Sequence, residues 1–113
     1  LFGKDFVQNR CVIPVTGFCE WDGDGTGWDF LPQEEEMLYL AGVCRKKAEG
    51  WEATVVTEHA AGCVGEIHHR TPLILSGENL RQWLYDEGQA RQFLEEAKER
   101  VLLKRKKMEG ETL

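Results

Sequence analysis

The 113-residue chain has no run of about 18 consecutive apolar residues, the length a helix needs to cross a bilayer. Its first residues also lack the basic-then-apolar layout of a secretion signal. The expectation is a soluble, cytoplasmic chain with no membrane partner. Positive charge is in the minority, 14 Lys and Arg against 20 Asp and Glu, for a net charge of −6. Taken over the whole chain, that field disfavours nucleic acid as a partner. The exclusion is weak locally: the acid concentrates in Asp22–Asp29, in Glu34–Glu36 and in the C-terminal tail, whereas Ile67–Leu75 contains Arg70 and no acid. Cysteine is sparse. Cys11, Cys19, Cys44 and Cys63 stand at wide, uneven spacing with no C-x-x-C pair. Buried reduced thiols are the expectation, and a structural zinc site built with His59, His68 or His69 is disfavoured. There are no internal repeats and no linker-like stretch.

What is present fits one domain, 1–113, with near-average apolar and charged fractions. Cys11–Val15 and Phe18–Trp21 read as short strands around Thr16-Gly17, with Pro14 suggesting an edge or bulge. Asp22–Gly27 reads as a turn followed by an acidic loop through Glu36. Met37–Val43 and Trp51–Thr57 read as strands, and Gly42 suggests a bulge or a close backbone approach. His59–Gly65 is a small-residue connection into an extended Ile67–Arg70, since Pro72 disfavours helix before it. Leu73–Leu75 is a further strand. Ser76 is a good N-cap for a helix over Glu78–Asp86, which Gly88 ends. A second helix is expected to carry Ala90, Phe93, Leu94, Ala97 and Val101 on one stripe, with Lys104–Lys107 at its C-terminal dipole. Val101–Leu103 is alternatively a terminal strand. Strands cluster before helices, so the class is α+β.

Two segments carry chemistry. Arg10-Cys11-Val12-Ile13-Pro14-Val15-Thr16-Gly17-Phe18-Cys19-Glu20-Trp21 and Ile67-His68-His69-Arg70-Thr71-Pro72 each set one proton-handling side chain, Glu20 or His68, beside an apolar run. Such groups are costly to desolvate unless paired, which marks them as candidates for a site. An ordinary surface glutamate and a structurally bonded histidine are the plainer alternatives. Arg70, two residues beyond His68 on an extended chain, would share its face and suit a phosphate; an ion pair is the alternative. Trp21 offers a stacking surface for an unpaired base, or is simply a core or rim aromatic like Trp28, Trp51 and Trp83. Asp22-Gly23-Asp24-Gly25-Thr26-Gly27 imitates the opening of a calcium loop. Position 12 of that loop is Gln33 rather than a bidentate Glu, so calcium is disfavoured.

In this order, and over about residues 6 to 85, the two segments resemble the SOS-response-associated peptidase (SRAP) family, whose pattern reads roughly R-C-[LIV]-I-P-x-x-G-[FY]-x-E-W and later I-H-x-R-x-P. The resemblance implies a mixed, barrel-like β core with flanking helices, and no cofactor. It implies recognition of abasic sites in single-stranded DNA and a thiazolidine cross-link made by an amino-terminal cysteine. Glu20 and His68 would manage the protons, while Trp21 and Arg70 would face the DNA. A bacterial member would be associated with the nucleoid. The chain begins with Leu1, and no internal cysteine has a free α-amine, so the expectation is a C-terminal portion of such a domain. Whether catalysis resides in these residues stays open against a non-catalytic DNA- or partner-binding module and an inactive remnant. Thr71 stands where the family usually has Met, and Cys19 where an aromatic is common.

Overall fold

The computed structural model describes residues 3–96 and 98–109. In chain order it comprises α1 (Lys4–Gln8), β1 (Arg10–Val15), β2 (Phe18–Trp21), β3 (Gly27–Pro32), β4 (Leu38–Lys47), β5 (Gly50–Val55), β6 (Thr57–His59), α2 (Gly62–Gly65), β7 (Arg70–Pro72), β8 (Ile74–Leu75), α3 (Leu80–Tyr85), α4 (Glu87–Glu95) and β9 (Leu103–Lys107). One sheet runs β1-β4-β5, with β8 also paired to β4; a second runs β2-β3-β9; β6 and β7 form a third. Every ladder is antiparallel. The class is α+β with a sheet-rich core, and among the described residues no barrel closes.

β4 organises the interior because its apolar residues alternate to both faces. Ala41 and Val43 enter a core with Phe6, Leu73, Trp83 and Phe93. Leu38 and Leu40 enter a second core with Phe30, Val64, Ile74 and Leu103. Burying each large side chain contributes about 1.5–3 kcal/mol relative to exposure. Arg10, the first residue of the first motif, is architectural. Its Nε donates to the Trp83 carbonyl and its Nη1 to the Phe6 carbonyl, both at 2.6 Å, while Trp83 Nε1 donates to the Cys11 carbonyl at 2.8 Å. These bonds join β1 to both α1 and α3. The close approach suggested at Gly42 is present: a Cβ there would lie 2.8 Å from Ile13 Cδ1 and 2.9 Å from Cys11 Sγ.

Several local expectations are corrected. The acidic loop before Glu36 contains β3, since Phe30 is fully buried and drives pairing despite its acidic flanks. Ile67–Arg70 is not extended throughout. The small residues before it form α2, the Ile67 and His68 amides both donate to the Val64 carbonyl, and only Arg70 enters a strand. Asn79, not Ser76, occupies the N-cap position of α3, and Ser76 Oγ donates to its side chain. Gly88 lies inside α4. The helix break falls at Asp86, whose extended backbone ends α3 and whose carboxylate accepts the Gln89 amide to start α4. Helix α4 ends at Glu95, so Val101 lies beyond it and Ala97 falls outside the described residues. Lys104–Lys107 belongs to β9, because the open edge of β3 takes a strand partner there. Trp51 is 61% exposed near the β4–β5 turn, whereas Trp83 is fully buried.

A buried ion pair joins β6 to the segment between α4 and β9. Arg100 Nη1 donates to both Glu58 oxygens at 2.9 and 3.3 Å, and its Nη2 donates to the Phe93 and Glu96 carbonyls. Burial pushes the Glu58 carboxyl above the usual range, and the Arg100 charge opposes that shift. A raised folded-state value means that Glu58 favours the fold below the ordinary carboxylate range and loses that contribution as pH rises through the raised value. Arg100→Met should therefore cost about 3–5 kcal/mol at neutral pH by stranding the carboxylate. The loss should shrink in mild acid, and Glu58→Leu combined with Arg100→Met should recover most of it. Urea midpoints at the two pH values check this; equal losses at both would refute the role given to Glu58.

Candidate active site

Alternation along β2 decides where its motif points. Paired residues in an antiparallel sheet share a face, so Glu20, Trp28 and Lys107 form one rung on one face, followed by Phe18, Phe30 and Arg105. Phe18 and Phe30 stack at 5.2 Å and anchor this face in the second core. Cys19 and Trp21 point to the other face. Strand alternation therefore separates Glu20 from Trp21 although they are neighbours in sequence, and it removes Cys19 from any pocket around Glu20.

His68 arrives from the opposite side, in the turn after α2. Val64 and Ile67 pack in the same core as Phe30, which presses that turn against β2 and β3. The outcome is an approach of 4.0 Å between His68 Nδ1 and Glu20 Oε2, with side chains 32% and 25% exposed. That is too long for a direct hydrogen bond, and it suits a proton passed through one water or a substrate atom. The ring is held by the Arg70 backbone: Nδ1 lies 3.1 Å from both the Arg70 amide and the Arg70 carbonyl. As a neutral acceptor it takes the amide hydrogen; protonated, it donates to the carbonyl. His69 stacks on His68 with ring centroids 4.6 Å apart, limiting rotation of the imidazole.

Trp21 faces away from this pair, and the Arg70 side chain is partly engaged by β6. Arg70 Nη2 donates to the Thr57 carbonyl at 2.9 Å and to Thr57 Oγ1 at 3.0 Å, clipping β7 to β6 and leaving only Nε and Nη1 for an anion. Trp21 is 51% exposed. Thr71 is buried, and its hydroxyl donates to the Pro72 carbonyl. Asp22, the first residue of the calcium-like turn, is occupied internally. Its Oδ1 accepts the Asp24 and Thr26 amides and its Oδ2 accepts Trp28 Nε1, which holds the carboxyl below its ordinary value, the indole bond most of all. Gln33 is bound to β9 through the Leu102 and Leu103 carbonyls.

The four cysteines form no disulfide, as expected, but none is fully buried: Cys11, Cys44 and Cys63 are half-buried and Cys19 is exposed. Burial and a bond to Cys44 push the Cys11 thiol up to about 12, and burial raises Cys63. Cys19 Sγ donates to Asp29 Oδ1 at 3.0 Å, and that bond raises its value too. These three thiols are held in the unreactive protonated form. The sequence pattern missed Arg105 and Lys107, which β9 carries onto the Glu20 face. Arg105 sits 5.2 Å from the Trp28 ring centroid and pairs with Glu66. The only signal for them was the residue alternation of a run equally compatible with a helix end.

The fold and this geometry define a small α+β protein with a carboxylate–imidazole pair assembled from two distant motifs. The chain matches the SOS response associated peptidase (SRAP) family over residues 1–110 and belongs to it. Among similar proteins, the abasic site processing protein HMCES of Gallus gallus is 34% identical over 103 residues, covering 66% of this chain and 31% of its own length. Abasic site processing protein YoqW of Bacillus subtilis is 29% identical over 92 residues, covering 74% of this chain and 41% of its own length. The chain thus spans well under half the length of these relatives. A crystal structure of a Bordetella bronchiseptica protein superposes with a TM-score of 0.77 at 22% identity, covering 96% of this chain and 59% of that one, and shows the shared fold.

The bond from Cys19 to Asp29 yields a direct test. Asp29→Asn should lower the pH midpoint for alkylation of Cys19 by iodoacetamide, because the carboxylate no longer disfavours the thiolate. Mass-spectrometric labelling rates across pH measure it, and an unmoved midpoint would exclude Asp29 as the cause.

Proposed function

We propose that this chain belongs to a protein that processes abasic sites in single-stranded DNA, and that Glu20 and His68 handle the protons of that chemistry. The observation that carries the proposal is the 4.0 Å approach of Glu20 and His68 from separate motifs. The names of the relatives support abasic sites as the target. In the reaction, the open-chain sugar aldehyde condenses with the α-amine of an amino-terminal cysteine. An imine forms and the carbonyl oxygen leaves as water, which requires a proton donor. The thiol then adds across the C=N bond; sulfur bonds to carbon, and the thiol proton passes to nitrogen to close the thiazolidine. Donating one proton and relaying the other is work for a carboxylate and an imidazole that share one site.

Glu20 enters as the acid or base nearest the rung of Trp28 and Lys107, and His68 as its partner, steered by the Arg70 backbone. The internal cysteines supply no α-amine, and burial or a carboxylate bond keeps Cys11, Cys19 and Cys63 protonated. The 113-residue chain alone should therefore give no heat-stable adduct with an abasic oligonucleotide on a denaturing gel. In a form carrying an amino-terminal cysteine, Glu20→Ala and His68→Ala should each slow adduct formation by about 10²–10⁴. Rates unchanged in both variants would remove the pair from the chemistry.

A further inference from the structure

We propose that Cys11 and Cys44 form a two-thiol site for copper(I), bridging β1 and β4 at the rim of the second core. The strand register brings them together. Cys11 pairs with Gly42 across the β1–β4 ladder, and Cys44 is the next residue along β4 on the face of Gly42. The two thiols are therefore diagonal neighbours on one face, although far apart in sequence, and their side chains share a hydrogen bond. The Cys44 amide donates at 2.8 Å to the carbonyl of Asn9, two residues before Cys11, so the backbone beneath both is fixed.

The surroundings leave room for an ion. Gly42 has no side chain, and a Cβ there would lie 2.9 Å from Cys11 Sγ, so the sulfur rests directly over the β4 backbone. Ala53, opposite Cys44 on β5, is small and exposed. Toward the interior the same face continues into Ile13, Leu40 and Val55 of the second core. Toward solvent it continues into Lys46 and Trp51, which are exposed. Both thiols are half-buried at this boundary, where the apolar side suits a polarisable ion and the open side admits it. Two thiolates around one monovalent cation leave a single negative charge, and Lys46 is the cation that follows on that face.

The donor count selects the ion. Among the described residues no third His, Cys, Asp or Glu joins the pair into a metal-holding group, so zinc, which takes three or four protein ligands, does not fit. Copper(I) is soft, favours thiolates and is satisfied by two of them in line. Two metal–sulfur bonds of about 2.3 Å each reach across roughly 4.6 Å. A disulfide is the competing use of two thiols, and the register disfavours it. Diagonal residues of a ladder stand about 7–8 Å apart, whereas a disulfide needs Cα atoms within about 7 Å. On binding, both S–H bonds break, two copper–sulfur bonds form, and two protons pass to solvent with no change of oxidation state. The high value of the Cys11 thiol lowers the apparent affinity at neutral pH without preventing binding, because the metal displaces the thiol proton.

The test is a titration of the reduced 113-residue chain, without oxygen, against the copper(I) complex of bicinchoninate, whose colour fades as copper leaves it. The chain should take up one equivalent, and a double variant, Cys19→Ser with Cys63→Ser, should take up the same. Cys11→Ser and Cys44→Ser should each abolish the uptake, with unchanged thermal unfolding of the metal-free variants confirming that they fold. X-ray absorption of the copper-loaded double variant reads the site without altering either ligand, and two sulfur neighbours are expected. One equivalent of copper should also raise the unfolding midpoint of the unaltered chain, since the thiols meet only in the folded state, and either single variant should lose that rise. No uptake in competition with bicinchoninate, uptake that depends on Cys19 or Cys63, or three or more copper ligands would overturn the site.

Discussion

The packing of Phe30 against Val64 and its neighbours is the constraint on which the site depends. Phe30 lies on the middle strand of the second sheet, and Val64 lies on α2, the short helix that precedes His68. Neither the sheet nor the helix has enough apolar surface to stand alone. Burying both against Leu38 and Leu40 of β4 fixes their relative position, and Glu20 and His68 follow as passengers on the two bodies. The distance between carboxylate and imidazole is therefore a consequence of core packing rather than of attraction between the charges. At 4.0 Å, with both groups a quarter to a third exposed, an ion pair contributes little.

The polar groups divide the labour in a consistent way. Arg10, Arg100 and Asp22 sit in dense hydrogen-bond sets and act as architecture. Arg70 belongs partly with them, because Thr57 occupies one end of its guanidinium. Glu20 and His68 are held more loosely, at the boundary between core and solvent, where a reacting group can reach them. The acidic composition hides a local row of exposed cations, Lys104–Lys107, on β9. Net charge describes the far field, whereas a ligand at the surface meets the local row of cations on β9.

Much of the outline was legible in the sequence. Motif one gave β1 and β2 through its apolar alternation, and the helical stripe of Ala90 and Phe93 marked α4. Errors gathered where two local signals compete. Gly88 looks like a breaker, yet a helix tolerates one glycine once Asp86 has capped its first turn. Lys104–Lys107 suits a helix C-terminus by charge, and no local preference opposes that. Ile67–Arg70 looked extended from Pro72 alone, while the turn that bends it is fixed by the Val64 carbonyl upstream.

The residue types that can do chemistry, their order and the α+β class were determined by the sequence itself, because side-chain reactivity and strand or helix periodicity are local properties. Tertiary structure alone decided that Glu20 meets His68, that Trp21 turns away from both, and that a basic run becomes the outer strand beside them. Each of those outcomes depends on which apolar faces bury one another and which open strand edge finds a partner. Both are long-range competitions among many weak contacts, and no short stretch of chain records who wins them.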